Sequence, residues 1–255
     1  AVIRDVTPDM SVFDVLSYPK LYHNLKAAVK EVSTGVKNSA MFYDDCSIPG
    51  EEMYRIIENR EFSRLPGNMS RTAQEALDTL LHTGDGQLCD IIVDRAALDA
   101  IEEAGKKSGE PIIENYADTT VAIANIKIAV RSQKTGKSAD FMRSAMAECE
   151  SLSIDQLIRA ALSGMEEIAQ YLEGTSYAGG ADALRESPSA FERWCDNRMI
   201  ETLRSQKYET FSAGPLLGYL IARENEIKTV RIILTGKQNG FTDDAIRERI
   251  REMYV

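Results

Sequence analysis

Three stretches of this chain follow one pattern: NLKAAVKEVSTG at residues 24–35, NIKIAVRSQKTG at residues 125–136 and NEIKTVRIILTG at residues 225–236. Each starts with asparagine, has valine at its sixth position and a basic residue at its seventh, and ends in Thr-Gly. The closing glycines are 101 and 100 residues apart. Matched residues at nearly equal spacing indicate an internal repeat, so we predict three similar units of about 100 residues each.

The shared Thr-Gly predicts the end of a helix. Glycine takes the left-handed backbone conformation just past a helix end, which costs other residues about 1 kcal/mol or more. A lysine follows each glycine within two residues, and positive charge stabilises the negative end of the helix dipole. We therefore expect three equivalent helices that end at these glycines. Their equivalent positions are Asn24 and Gly35, Asn125 and Gly136, and Asn225 and Gly236.

Helical signals dominate the rest of the sequence. Ser153 and Thr242 have the character of helix N-caps. The segment 111–134 is rich in Thr, Val and Ile, which favours strands, but it is far longer than a usual strand and its apolar residues keep helical spacing. Residues 91–93 fit either a short strand or a helix capped by Asp90. The sequence predicts an all-α fold.

The third repeat lies in a predicted helix that opens at Pro215. Its apolar residues Leu216, Leu220, Ile227 and Val230 fall on one side.

Composition excludes several functions. The 255 residues include 30 Lys and Arg against 40 Asp and Glu, a net charge of −10, so nucleic-acid binding as the main function is disfavoured. No apolar stretch approaches the 18–20 residues that cross a bilayer, so we expect no membrane span.

Catalytic and ligand-binding signals are weak. The chain has two histidines, and its four cysteines form no CxxC pair, so a zinc site is not expected. Residues 135–138 read TGKS, the end of a phosphate-binding loop, but Arg131 stands where that motif requires glycine and a helix precedes it. His23 is expected to be a packing or capping residue. We predict no catalytic, cofactor-binding or metal-binding residues.

A charged segment of the third repeat is the candidate surface. Glu224 and Glu226 are two residues apart on a helix and point about 200° away from each other, so they do not converge on one substrate. The segment is either a solvated face with an i,i+4 pair between Glu224 and Lys228, or a docking face. Its charged residues are Arg223, Glu224, Glu226, Lys228 and Arg231.

The repeat also predicts a domain organisation. We expect residues 1–45 to be the remnant of a first helical lobe, residues 46–148 a second lobe, residues 149–240 a third, and residues 241–255 a C-terminal helix. Only 35 residues lead up to and include Gly35. If the period holds, about 65 residues of a first lobe would lie upstream of Ala1.

Four segments carry a resemblance to a known family. The most specific are PLLGYLIARENEIKTVRIILTGKQNG at residues 215–240 and IRERIREMYV at residues 246–255, joined by YHNLK at 22–26 and DIIVDR at 90–95. The chain resembles the C subunit of the V-type/A-type ATP synthases, the prokaryotic relative of the d subunit of eukaryotic V-ATPases. The first helical segments of that family have no counterpart here.

The resemblance implies a non-catalytic rotor part without cofactors. Family members form a funnel of three similar lobes with pseudo-threefold symmetry. The funnel is a peripheral part on the cytoplasmic face of the membrane, seated on the proteolipid ring. It receives the central shaft, made of the D and F subunits, and passes torque between shaft and ring for hydrogen-ion or sodium-ion transport.

The charged segment lies in the part of the sequence that matches the family most clearly. We offer it as a docking set for the shaft or the ring, and the competing interpretation is that it ties neighbouring lobes together. The alternative function is a general all-α interaction scaffold outside any ATPase. A weaker third option is an enzyme with its site spread across helices.

Overall fold

The computed structural model describes residues 13–204 and 212–252, and within these ranges the regular structure is entirely helical. The all-α prediction is confirmed. Two short 3-10 turns, Ser39–Met41 and Phe62–Arg64, accompany the α-helices. The helices are α1 (Asp14–Thr34), α2 (Gly50–Glu58), α3 (Met69–Thr83), α4 (Gly86–Ser108), α5 (Pro111–Thr135), α6 (Ala139–Ala145), α7 (Ile154–Ser163), α8 (Met165–Glu173), α9 (Gly179–Glu186), α10 (Pro188–Arg204), α11 (Gly214–Gln238) and α12 (Asp243–Arg247).

Local sequence explains where several helices begin. The side chains of Ser153 and Thr242 accept hydrogen bonds from backbone N–H groups of the first turns of α7 and α12, so both predicted caps are confirmed.

The segment 111–134, whose composition favours strands, lies in the helix α5. Residues 91–93 lie inside α4, whose N-cap is Asp85 and not Asp90. Asp85 accepts hydrogen bonds from two backbone N–H groups, which Asp90, already inside the helix, is not placed to do.

The three repeated stretches lie in the three long helices α1, α5 and α11, and two further helices connect them. Helix α4 packs against both α1 and α5, and α10 packs against both α5 and α11. The third residue of the repeated stretch is lysine in the first two units, and in both it forms an ion pair with a carboxylate of the connecting helix. Lys26 Nζ lies 2.6 Å from Asp94 of α4, and Lys127 Nζ lies 2.7 Å from Glu192 of α10.

The repeated asparagine makes the same kind of hydrogen bond in all three units. The side-chain amide of Asn24 donates to the carbonyl oxygen of Tyr43 at 2.8 Å and accepts from the backbone N–H of the same residue. Asn125 forms the same two bonds with Ala147, at 2.7 and 3.1 Å. Asn225 donates to the carbonyl oxygen of Glu252 at 2.6 Å. All three asparagines are buried.

Among the described residues, three clusters of buried apolar residues form the core. One gathers the second half of α1 with α2, α3 and α4, and another gathers the second half of α5 with the helices up to α10. The third contains residues from the first halves of α1, α5 and α11, among them Val15, Ile113 and Leu217. The division of the chain into lobes at residues 45, 148 and 240 stays a prediction.

The predicted helix ends are confirmed for two of the three glycines and wrong for the third. Gly35 and Gly136 follow the last residues of α1 and α5 in the left-handed conformation, with φ of 70° and 64°. Gly236 lies inside α11, which continues to Gln238, and the left-handed residue is Gly240. A Cβ at Gly236 would lie 2.7 Å from Cγ1 of Ile246 on α12. This glycine allows close packing instead of ending the helix.

We predict that Asn125→Leu lowers the free energy of unfolding by about 2–4 kcal/mol, because it leaves a buried N–H and a buried carbonyl of Ala147 without partners. Leucine has a similar volume, so lost packing contributes little. Chemical denaturation monitored by circular dichroism measures the change. The control is Asn68→Leu at an exposed N-cap that makes no side-chain capping bond. Equal stabilities of the two variants would contradict the structural role of Asn125.

We predict that Gly136→Ala destabilises the protein by about 1–2 kcal/mol through backbone strain alone, because open space surrounds the position and only its positive φ opposes a side chain. Gly86→Ala is the matched control: a Cβ there also meets nothing within 4 Å, but the backbone is not left-handed. Thermal unfolding of both variants tests this. A Gly136→Ala variant as stable as the control would show that φ at this site imposes no cost.

Candidate functional site

The candidate charged residues lie along the middle of α11 and are spread around it. The helix buries Leu217, Ile221 and Asn225 toward the rest of the molecule. Lys228 lies on the same side of the helix as Ile221 and Asn225, whereas Arg223 lies on the opposite side. Glu226 is partly exposed, and the other four members of the set are exposed. The structure therefore brings the predicted docking residues to one accessible helix.

Ion pairs divide this set into residues with different roles. Arg223 and Glu226 pair with each other along the helix. Glu224 lies 4.0 Å from Lys20 of α1, and Lys228 lies 3.2 Å from Asp196 of α10. The expected i,i+4 pair between Glu224 and Lys228 is not formed. Glu224 instead reaches the ammonium group of Lys20, and Lys228 reaches the carboxylate of Asp196. Both residues hold α11 against its neighbours.

Arg231 differs from the other members. Its side chain is exposed, and it takes part in none of the ion pairs formed between described residues. It borders a small depression of about 250 Å³ whose lining includes Phe241 and Ile246. The other four candidates each form an ion pair, so Arg231 is the candidate whose charge is most available to a binding partner.

Asp196 is a residue that sequence reasoning missed. Its carboxylate is 18% exposed and lies 2.6 Å from Nε of Arg251. Burial opposes its ionisation, but attraction from Lys228 and the hydrogen bond from Arg251 outweigh burial and hold the pKa of Asp196 below its ordinary value. The neighbouring Asn197 accepts a hydrogen bond from the backbone N–H of Glu252. Helix α10 thereby fixes both α11 and the segment after α12.

Next to the charged residues, α11 exposes an apolar stripe made of Ile227, Val230 and Leu234, which are 49%, 53% and 63% exposed. Of the four apolar residues that the sequence places on one side of this helix, Leu216 and Leu220 are half-buried, whereas Ile227 and Val230 are exposed. The equivalent valines Val29 and Val130 are only 0% and 6% exposed, and each belongs to a buried apolar cluster, which includes residues of α4 for Val29 and of α10 for Val130. In the described ranges no helix covers this side of α11. Only the structure distinguishes this exposed apolar side from a buried one.

The other chemical candidates have structural roles. The TGKS segment links α5 to α6: Gly136 follows one helix, and Ser138 caps the next by accepting from the N–H of Phe141. His23 lies 2.9 Å from the carbonyl oxygen of Met41 and packs edge-on against Tyr43. Burial raises the pKa of the Cys195 thiol to about 12, which keeps it protonated and unreactive at neutral pH.

An open groove of about 750 Å³ runs along α3 and α4, and its walls carry charges of both signs. Two of its basic residues are already paired along α4, Arg95 with Asp99 and Lys107 with Glu103. Within residues 13–204 and 212–252, no three His, Cys, Asp or Glu residues are grouped to hold a metal ion. The groove therefore presents no convergent set of reactive groups.

None of the helices in the described part of the chain combines the length and the hydropathy needed to cross a membrane.

Comparison with known proteins shows the family of this chain. The sequence profile of the ATP synthase (C/AC39) subunit family matches residues 1–249. The chain belongs to this family. The match includes the three repeated stretches and the charged segment of α11, so the resemblance seen in the sequence is confirmed over nearly its whole length.

Relatives in the family come from bacteria and archaea. The C subunit of the V-type sodium ATPase of Enterococcus hirae is 23% identical, with 99% of this chain aligned to 78% of the relative. The C subunit of the A-type ATP synthase of Methanocaldococcus jannaschii is 23% identical over 96% of this chain and 67% of the relative. The corresponding protein of Methanothermobacter thermautotrophicus is 26% identical over 89% and 64%. No solved structure matches significantly.

Proposed function

We propose that this chain is the non-catalytic central-stalk subunit of a V/A-type ATPase, where it couples a shaft of D and F subunits to the proteolipid ring for ion transport. The observation that carries the proposal is the family match over residues 1–249. Relatives named as the C subunits of a V-type sodium ATPase and of A-type ATP synthases support it. We propose the cytoplasmic face of the membrane as its location, with the protein bound peripherally to the ring.

A rotor part must transmit force without deforming, and this requires packing and cross-ties, not a reactive side chain. The first halves of the three long helices share one buried cluster. Ion pairs at Lys20–Glu224 and Lys228–Asp196 connect α11 to α1 and α10. These contacts join the three repeats into one body, as the proposed mechanical role requires.

The proposed shape is a funnel of three similar lobes related by pseudo-threefold symmetry, with the first lobe incomplete. Two observations support this shape. The equivalent asparagine of each repeat donates a hydrogen bond to a backbone carbonyl oxygen. Helices α4 and α10 each pack between two of the three long helices. We retain residues 1–45, 46–148 and 149–240 as the proposed lobes, with residues 241–255 as a C-terminal segment.

We further propose that the exposed side of α11 contributes to docking on the shaft or the ring. Arg231 is the residue that the ion-pair pattern favours most. Glu224 and Lys228 are placed to hold neighbouring helices together, and Arg223 and Glu226 neutralise each other.

The proposed function predicts that this chain restores coupling to a V/A-type ATPase of its own organism from which it has been removed. We expect the full-length chain to co-purify with the D and F subunits and with the proteolipid ring, and to restore ATP-driven ion uptake into vesicles. The isolated chain should hydrolyse no ATP. A chain that binds neither shaft nor ring, or an ATPase that stays coupled without it, would favour the general scaffold.

Charge reversal distinguishes docking from structural residues. We predict that Arg231→Glu weakens binding to the shaft or the ring at least tenfold, about 1.4 kcal/mol, without changing the melting temperature. Glu224→Lys should instead lower stability slightly, by about 0.5 kcal/mol, because its pair with Lys20 is partly exposed. Binding is measured by surface plasmon resonance on purified subcomplexes. Unchanged binding of Arg231→Glu to both partners would exclude this residue from the interface.

A further inference from the structure

A short irregular segment, residues 248–252, follows α12 and lies along α10. We call it the strap. Two arginines of α10 hold its ends: Arg193 donates a hydrogen bond to the carbonyl oxygen of Glu248, and Arg204 lies 2.7 Å from the carboxylate of Glu252. These arginines are about 16 Å apart along the helix, so the strap is tied to α10 over more than half of its length.

The contact in the middle of the strap is an ion pair. Nε of Arg251 donates to one carboxylate oxygen of Asp196 at 2.6 Å, and the two side chains are only 12% and 18% exposed. The other oxygen of the same carboxylate lies 3.2 Å from Nζ of Lys228 on α11. Asp196 therefore joins three elements, α10, α11 and the strap, through one charged group.

The strap differs from the equivalent segment of the second unit in what holds it. In that unit, Met146 and Ala147 are fully buried members of apolar clusters. None of the three apolar clusters formed by the described residues includes a side chain of the strap, and Glu252 is exposed. Water replaces hydrogen bonds and ion pairs when they open, so their net contribution is small. A segment held in this way opens at less cost than one buried in the core.

The strap also holds the second half of α11. The first half is anchored in the apolar cluster that α1, α5 and α11 share, to which Leu217 and Ile221 belong. Beyond Ile221, the buried residues of this helix are Asn225 and Gly236. Asn225 donates to the carbonyl oxygen of Glu252 at 2.6 Å, so the strap makes one of these two attachments.

We propose that the strap is a releasable tie that opens and closes while the rest of the protein stays folded, with Asp196 as its clasp. The closed strap fixes the second half of α11 to α10 through Asn225 and Arg251. After opening, the Lys228–Asp196 pair and the packing of Gly236 against α12 remain, and this half of the helix gains freedom to move. The strap thereby sets how rigidly α11 presents its exposed side. The inference concerns the isolated chain and does not depend on the proposed function.

Residue-resolved amide exchange, measured by NMR on the full-length chain, tests the opening. The N–H of Glu252 donates to Asn197, and the N–H of Ala147 donates to Asn125, so the two amides form comparable hydrogen bonds. After correction for intrinsic rates, we expect the Glu252 amide to exchange at least a hundredfold faster than the Ala147 amide. Equal exchange would show that the strap opens only when the whole protein unfolds, and would overturn the proposal.

Substitution at the ion pair tests the link between the strap and α11. We predict that Arg251→Gln accelerates exchange of the Glu252 amide at least tenfold, because it removes the charge that the strap brings to α10. Exchange in residues 229–238 should rise at least threefold, whereas residues 216–221 stay within twofold of the unsubstituted chain. This variant leaves the ion pair between α10 and α11 in place, so it tests the strap alone.

Asp155→Asn is the matched control, because it breaks an exposed ion pair with Arg143 away from the strap. It should change none of these rates more than twofold. Three results for Arg251→Gln would overturn the proposal. They are an unchanged rate at Glu252, a faster rate at Glu252 without any change in α11, and an equal acceleration at Ala147, which would indicate global destabilisation.

Discussion

A buried asparagine amide that pairs with a peptide group is the interaction on which each repeat depends. The segments that follow α1, α6 and α12 are irregular, so they cannot satisfy their own backbone groups, and an unsatisfied buried N–H or carbonyl is costly. Asn24 and Asn125 each supply both a donor and an acceptor to one residue of that segment. Asn225 supplies the donor to Glu252, whose N–H is satisfied by Asn197 of α10. The helix and the returning segment are thereby fixed together.

The third unit departs from the other two in a way that follows from its missing cover. The second repeat position is Leu25 in α1 and Ile126 in α5, both fully buried, but Glu226 in α11. A charged residue there is tolerated because water reaches it and Arg223 pairs with it. The stripe at Ile227, Val230 and Leu234 shows the opposite trend, because its side chains stay apolar although they are exposed. Solvent alone does not favour that composition.

Local signals in the sequence were sufficient for the helices, their caps and the equivalence of the three asparagines. They were insufficient wherever the outcome depended on a distant segment. The partners of the asparagines lie 19, 22 and 27 residues downstream, too variable a spacing to form a pattern. Thr-Gly followed by lysine predicts a helix end, but at Gly236 the packing of Ile246 decides the role of the glycine. Helical periodicity identified an apolar side of α11 but could not show whether another helix covers it.

These contacts assign different tasks to the two sides of α11. The inner side is held by Asn225, by the Lys228–Asp196 pair and by the buried cluster that α1, α5 and α11 share. Helix α10 and the segment at Glu252 are tied to each other and to α11, and α10 also packs against α5. A helix that was free on its inner side would bend or roll under load. The inner side of α11 therefore holds the helix in place, and the proposed docking surface lies on the opposite, exposed side.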